Sequence, residues 1–567
     1  MQQNLLTVSC QRQRRALLSA TIALFFAIQS AKAGTWTPLA TNAPGGVQLM
    51  LLLSDGTVMC FDGNTTAWFK LTPNSSGSYI NGTWTTLASM SFSRRYLASQ
   101  VLQNGKVMVA GAEYGTGGAT TELYDPPANT WTEVIVPAGL LLNCPQTKGN
   151  GNFRDAGSMM LPIGTMMVAP VCPGTPNRTL IYDPIASTWS NGPAYLRNQN
   201  EASWVKLPDD SIVTVDTSST QSERFIPSLN RWINDSNLPV NLYGAGSEIG
   251  PGLLLPDRRA FFLGGSTNTA FYTPTGTTNP GAWTSGPPFP NGQACPDAPA
   301  AMLVNGKVLF ASSAVGTSGN PFPTNVSFYE YDPVGNSYAR QNSPTGGLTE
   351  NNIPVYQAAL LCLPDGNVLY SDESSQLYVY TPTGSPIVAG KPTINTITLN
   401  PDGSYHLTGT KLNGISAGAA YGDDEQMDSN YPLVRLTDGS GNVYYARTYN
   451  WSSTGVQTGS TPVTTEFSLP DFVFANGGTY SLVVVANGIS SDPVSFSGPV
   501  WVDFNSPWPF EFGTYSFPDK TLAKGTNDVA AGGAIFIKPG TSHETFPMTI
   551  TKPMSITAIG GSAIIGH

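Results

Sequence analysis

Four stretches decide the fold: LLLSDGTVM (Leu51–Met59), VLQNGKVMV (Val101–Val109), MLVNGKVLF (Met302–Phe310) and CLPDGNVLY (Cys362–Tyr370). Each is an apolar run, a tight turn and a second apolar run. Asp-Gly and Asn-Gly supply the positive φ angles that a two-residue hairpin turn requires, so each stretch is read as a two-stranded hairpin. The pattern recurs seven times, at Asp55-Gly56, Asn104-Gly105, Ile163-Gly164, Asp209-Asp210, Asp257-Arg258, Asn305-Gly306 and Asp365-Gly366. Successive turns are 49, 59, 46, 48, 48 and 60 residues apart.

A second feature keeps phase with the first. After each hairpin comes an aromatic-x-Pro strand and usually a Trp, as in YDPPANTW (Tyr124–Trp131), YDPIASTW (Tyr182–Trp189) and FIPSLNRW (Phe225–Trp232). YDPVGNSY (Tyr331–Tyr338) keeps the spacing with Tyr in the Trp position. The Pro ends one strand, and the Trp opens the outer strand and packs between neighbouring sheets. Four strands in 40–50 residues make one propeller blade of the kelch kind. Seven of them fill about 34–391, giving an all-β seven-bladed propeller. Residues 392–499 read as an immunoglobulin-like sandwich, with strands such as SYHLTGT, PLVRLTD, VYYARTY and TYSLVVVANG. From Val500, a short helix in FPDKTLAKGTNDV and strands in GGAIFIKPG, MTITKP and MSITAIGG suggest one coil of a parallel β-helix. A lone coil cannot bury its own faces, so it must dock on a neighbour or self-associate.

The chain has 567 residues, of which 11% are charged, with 59 Gly and 46 Pro, a composition of short strands and many turns. Arg12, Arg14 and Arg15 precede an apolar run from Ala16 to Ile28, then Ala31-Lys32-Ala33. This is the pattern of a secretory signal peptide cut after Ala33, which places the mature protein outside the cytoplasm. Its removal moves the formal net charge from −10 to −14. So acidic a chain repels phosphate backbones and anionic lipids, which argues against nucleic acid and membrane surfaces as partners. No later segment reads as a membrane span. Export permits disulfides, and Cys144 and Cys172, flanking one strand pair, are the candidate bridge.

A kelch propeller followed by an early-set immunoglobulin-like domain resembles galactose oxidase, glyoxal oxidase and other copper radical oxidases. The resemblance covers about 34–499 and is closest in VYQAALLCLPDG of blade seven and GAAYGDDEQ downstream. It implies a copper ion held by an axial Tyr, a His beside it, a second His on a threaded loop, and a Tyr cross-linked to Cys. The positions that match carry other residues. Tyr356 keeps the axial Tyr, but Gln357 stands for the adjacent His, and Ala420 or Tyr421 for the loop His. Glu201 falls on the cross-linked Tyr and Asp155 on its Cys, with Cys144 eleven residues away. The mature chain has only His406, His543 and His567. The reading is therefore a scaffold of that family with its copper ligands largely replaced and no copper cofactor.

Counting about eight residues back from each turn selects the segments entering the innermost strands, at one mouth of the axis. They supply Arg95, Tyr96, Arg154, Asp155, Asn200, Glu201, Glu248, Asp297, Tyr356 and Gln357. Carboxylates, guanidinia, amides and phenols around one opening suit a glycan or another extracellular ligand. Asp155 and Glu201 also have the chemistry of a glycosidase acid and base. The acidic loop Asp423-Asp424-Glu425 offers Ca²⁺ ligands without EF-hand spacing. The expectation is a non-catalytic binding protein, with a divergent copper oxidase as the alternative.

Overall fold

The computed structural model describes residues 34–137, 139–141, 153–170, 177–418, 420–421, 425–426, 430–542, 544 and 548–566. The signal segment, Cys144 and Cys172, Asp423 and Asp424, His543 and His567 lie outside them.

Seven antiparallel sheets built on four strands each form the propeller. In blade 1 the order from the hub outward is Leu49–Leu52, Val58–Phe61, Trp68–Thr72 and Thr83–Thr86. Inner strands are apolar on both faces because each blade is packed between two others; Leu49–Leu52 and Val58–Phe61 are buried throughout. Blade 7 is completed from the other end of the propeller chain. Its strands Ala359–Cys362, Val368–Ser371 and Tyr378–Thr381 take Thr35–Pro38 as their outermost partner, with Trp36 opposite Tyr380. This pairing closes the ring.

All seven turns fall where the repeat places them, but they hold three residues, not two. Leu53 N–H donates to Thr57 O (2.8 Å) and Gly56 N–H to Leu53 O (3.0 Å), which is a type I turn with a left-handed third residue. The same pair of bonds starts from Leu102, Leu161, Leu207, Leu255, Leu303 and Leu363. One positive φ therefore suffices per turn. Gly supplies it at five positions, while Asp210 (φ 65°) and Arg258 (φ 75°) adopt it with a side chain.

The outer-strand aromatics pair across each blade as expected. Ring centroids are 5.0 Å apart for Tyr124 and Trp131, 5.2 Å for Tyr182 and Trp189, and 5.7 Å for Phe225 and Trp232. Trp131 also meets Trp68 of blade 1 at 5.6 Å, which locks neighbouring blades together.

Downstream, eight strands from Thr393–Leu399 to Val494–Ser497 form one curled antiparallel sheet. An immunoglobulin-like sandwich would have two separate sheets. Here Val443–Tyr449 pairs with Leu433–Asp438 on one side and Pro462–Ser468 on the other, joining the halves. The curl encloses Leu407, Val434, Leu436, Phe467, Leu482 and Val484. This domain bolts onto the turn side of the propeller. Arg447 donates to Asn104 O (2.9 Å), Thr454 to Leu161 O (3.0 Å) and Gln457 to Leu255 O (2.8 Å). One of its hairpins, Ala420–Tyr421 with Glu425–Gln426, runs into the hub: Ala420 pairs with Gly252 on the inner strand of blade 5.

The terminal segment is more than one coil. Val500–Val502, Ala534–Ile537 and Ser555–Ala558 stack in parallel, with helix Leu522–Asp528 between the first two. MTITKP forms no strand. The stack meets its packing requirement by docking: Trp501 and Phe536 pack against Phe474 of the curled sheet at 5.1 and 5.7 Å. Among the described residues no helix is long and apolar enough to cross a membrane.

Candidate functional site

The face opposite the curled sheet is where the chain enters each innermost strand. Four entry residues share one backbone conformation: Tyr96, Asp155, Glu201 and Asp297 all have φ of 51°. A left-handed residue just before the strand turns the chain sharply into the hub and aims its side chain at the axis. The repeat thus brings a polar group from each of these four blades to or beside a common opening.

That opening is a cleft of about 510 Å³ lined by Asn64, Arg95, Tyr96, Glu113, Tyr114, Glu201, Glu248, Asp297, Phe322 and Tyr356. Of the residues expected from the sequence, Arg95, Tyr96, Glu201, Glu248, Asp297 and Tyr356 are on this surface. Arg154 and Asp155 stand against it, because Arg154 bonds Glu113 (2.9 Å) and Asp155 (3.2 Å). Gln357 lies behind, donating to Glu373 Oε2 at 3.1 Å. Asn200 lies outside the lining, its backbone N–H bonded to Asn198 Oδ1 (3.1 Å).

Asn64, Glu113, Tyr114, Phe322 and Glu373 were missed. They arrive on the loops after the second strand of a blade, which return to the same face. The signal was available: counting eight or nine residues forward from Asp55, Asn104 and Asp365 lands on Asn64, Glu113 and Glu373.

The electrostatics are dominated by carboxylates. Oxygens of Glu113, Asp155 and Glu201 lie within 4.8 Å of one another, and so do those of Glu201, Glu248 and Asp297. Two guanidinium groups answer six carboxylates. Arg95 spans from blade 2 to Glu373 of blade 7 at 2.6 Å while lying over the Tyr96 ring at 4.9 Å. Burial pushes the Asp155 carboxyl up to about 6, opposed by Arg154 and reinforced by Glu113 and Glu248. Burial likewise raises Glu373 against the pull of Arg95. The Tyr356 phenol is raised by burial and then by Glu373, so it is neutral near pH 7. Tyr356 meets Phe322 edge to face at 5.1 Å, and Tyr96 meets Tyr114 at 6.2 Å. The cleft therefore has aromatic walls around a carboxylate-rich floor.

These groups do not fit copper of the radical-oxidase kind. Among the described residues lining the mouth the atoms able to bind a metal are carboxylate, amide and phenol oxygens. The hub hairpin carries Ala420 and Tyr421, with Ala420 paired to Gly252. His406 pairs with Glu466 within the curled sheet at 2.7 Å. Cys60, Cys295 and Cys362 are buried free thiols. All-oxygen carboxylate sets suit hard cations such as Ca²⁺ in place of copper.

A larger groove of about 830 Å³ runs between blades 3 and 4 on the turn side, past Leu161, Ile163, Ile181, Ile226 and Pro227. Its walls are mainly aliphatic, and it lacks the convergence of charged and aromatic groups seen at the mouth.

The sequence matches no protein-family model and no curated protein. Among solved structures the chain is similar to a fungal alcohol oxidase of the AA5 family in complex with copper, at 12% identity and a TM-score of 0.48. That match covers 82% of this chain and 100% of the other. A streptogramin B lyase matches at 12% identity and a TM-score of 0.42, over 62% of this chain and 98% of its own. A virginiamycin B lyase from Staphylococcus aureus matches at 11% identity and a TM-score of 0.41, over 62% of this chain and 99% of its own.

Proposed function

We propose that the chain is an exported binding protein that takes a neutral or amine-bearing glycan in the propeller mouth, without copper chemistry. The observation that carries this reading is the joining of aromatic walls to a carboxylate floor in one open cleft. Pyranose rings present C–H faces that pack on Tyr96, Tyr114, Phe322 and Tyr356. Their hydroxyls can donate to Glu201, Glu248 and Asp297 and accept from Arg95. The excess of carboxylates disfavours uronic and sulfated sugars and favours amino sugars.

Titration calorimetry with neutral, amino and uronic oligosaccharides tests the reading. The expected result is binding of the first two, weakened at least about tenfold by Glu201→Gln combined with Glu248→Gln, the worth of one or two charge-assisted hydrogen bonds. Equal binding of uronic oligosaccharides, or indifference to the double substitution, overturns it.

One observation favours a second reading. Asp155, which keeps its proton up to about pH 6, stands within 4.8 Å of Glu201. Two carboxyls that close, one of them holding its proton more tightly than usual, are the parts of a retaining glycosidase. Release of nitrophenol from aryl glycosides, lost in Asp155→Asn, would select it over simple binding.

A further inference from the structure

We infer that Gly34 is the mature N-terminus and that its α-ammonium group completes the closure of the propeller ring. The inference rests on the export part of the reading above and is independent of any ligand.

The strand that closes blade 7 starts at Thr35, one residue after Gly34. Gly34 is buried, and its nitrogen lies 3.1 Å from Gln341 Oε1 on the outermost strand of blade 6. The same nitrogen also faces the Tyr380 hydroxyl. Tyr380 in turn donates to Glu330 Oε1 at 2.6 Å, and Glu330 is almost fully buried with Lys307 Nζ 3.3 Å from its other oxygen. A backbone amide has one proton to give. This nest offers two acceptors with a carboxylate directly behind one of them, which suits a group with three protons and a positive charge.

Position 34 also admits only glycine. A Cβ there would sit 2.1 Å from the Tyr380 hydroxyl oxygen and ring. Cleavage after Ala33 leaves this glycine first in the chain.

The step needs only water and an endopeptidase that accepts small residues. The Ala33–Gly34 C–N bond breaks, and hydroxide from water joins the Ala33 carbonyl carbon while its proton goes to the Gly34 nitrogen. The new carboxyl then gives up its proton, and the amine takes it to become an ammonium. The new cation lies against Gln341, Tyr380 and Glu330, linking blade 6, blade 7 and the closing strand. Removal of the leader thus adds a charge-assisted contact to a ring that the pairing of Thr35–Pro38 closes.

Two mature chains test this, released from fusions by a site-specific protease: one beginning at Gly34, the other retaining Ala33 ahead of it. The Gly34 form is expected to unfold at higher guanidinium chloride. At a fixed concentration its unfolding equilibrium should be shifted by about tenfold, as for one charge-assisted hydrogen bond. Glu330→Gln in both chains should remove most of the difference. Loss of the Lys307 pairing is common to both and cancels. Equal midpoints in the two wild-type forms, or a difference that survives Glu330→Gln, overturns the role of the ammonium. N-terminal sequencing of the exported protein is expected to begin at Gly34, and any other start overturns the processing site. An uncleaved, retained protein would fail the export reading instead, so the two failures are distinguishable.

Discussion

Asp155→Asn should stabilise the protein at neutral pH and leave it unchanged in acid. The Asp155 side chain is 8% exposed, and burial raises its carboxyl from 3.8 to about 6 despite the neighbouring Arg154. A carboxyl whose pKa is higher in the folded than in the unfolded state holds its proton more tightly in the native protein. Stability is therefore greatest below about pH 4, falls as pH rises from 4 to 6, and stays at the lower level above. A shift of about two units corresponds to about 3 kcal/mol. Asparagine is isosteric and uncharged, so it should recover most of this at pH 7 and nothing at pH 4. With an unfolding entropy near 2.1 cal/mol/K per residue over the roughly 360 residues of the propeller, the gain amounts to about 4 °C in Tm. Calorimetry of both proteins at pH 4, 5, 6 and 7 should show a gap that opens with pH along a titration centred between 4 and 6. Parallel melting curves across that range would refute the claim that crowding at the mouth costs stability.

Arg94 and Glu122 form an ion pair with both side chains fully buried (2.9 Å), so Arg94→Ala leaves a buried carboxylate with the Ser91 N–H as its remaining partner. It should cost about 3–5 kcal/mol by denaturant titration, and Arg94→Met combined with Glu122→Leu should recover only part of that, because the carbonyls of Gly111, Gly117 and Thr120 lose the donors that Arg94 supplies. Arg258 is exposed and holds φ of 75° in the blade 5 turn, so Arg258→Gly should stabilise by about 1 kcal/mol, read from the urea midpoint. A Tyr–Cys thioether removes two hydrogens and survives reduction, unlike a disulfide. The intact mass of the reduced mature chain should therefore equal that calculated from sequence, and a persistent deficit of about 2 Da would restore the radical-oxidase reading.

The propeller was legible because its signal is local and repeated. Each turn needs one left-handed residue, and Asp-Gly or Asn-Gly announces it at four turns. At Asp210 and Arg258 only the spacing of the repeat gave the turn away. The number of residues in each turn was not legible, since Asn-Gly serves both the two-residue and the three-residue forms. The entry residues at the mouth could be found because they keep a fixed distance from the turns. Glu113 and Glu373 keep a forward spacing of nine and eight residues from their turns and were readable in the same way, whereas Phe322 lies 17 residues past Asn305 in a longer loop, which hides it. The curled sheet and the parallel stack depend on long-range pairing: Val443–Tyr449 joins two halves, and Trp501 meets Phe474. Alternating hydrophobicity marks such strands without saying which of them pair.

The shared φ of 51° at Tyr96, Asp155, Glu201 and Asp297 also explains why residue chemistry at these positions can be read directly. The turn side of the hub is clamped by the curled sheet through Asn104, Leu161 and Leu255, so the inner strands are fixed from the opposite end. Changing a side chain at the mouth then alters what the opening binds while leaving the direction of the Cα–Cβ bond where the backbone sets it. Gln357, Glu201 and Asp155 consequently stand where the resemblance would put an imidazole, a phenol and a thiol, with no repair of the fold required. The same rigidity works against a substitute arrangement: His406, held by Glu466 in the curled sheet, belongs to a different hydrogen-bonded frame from the mouth. The carboxylates gathered at the mouth set a negative potential that disfavours anions there.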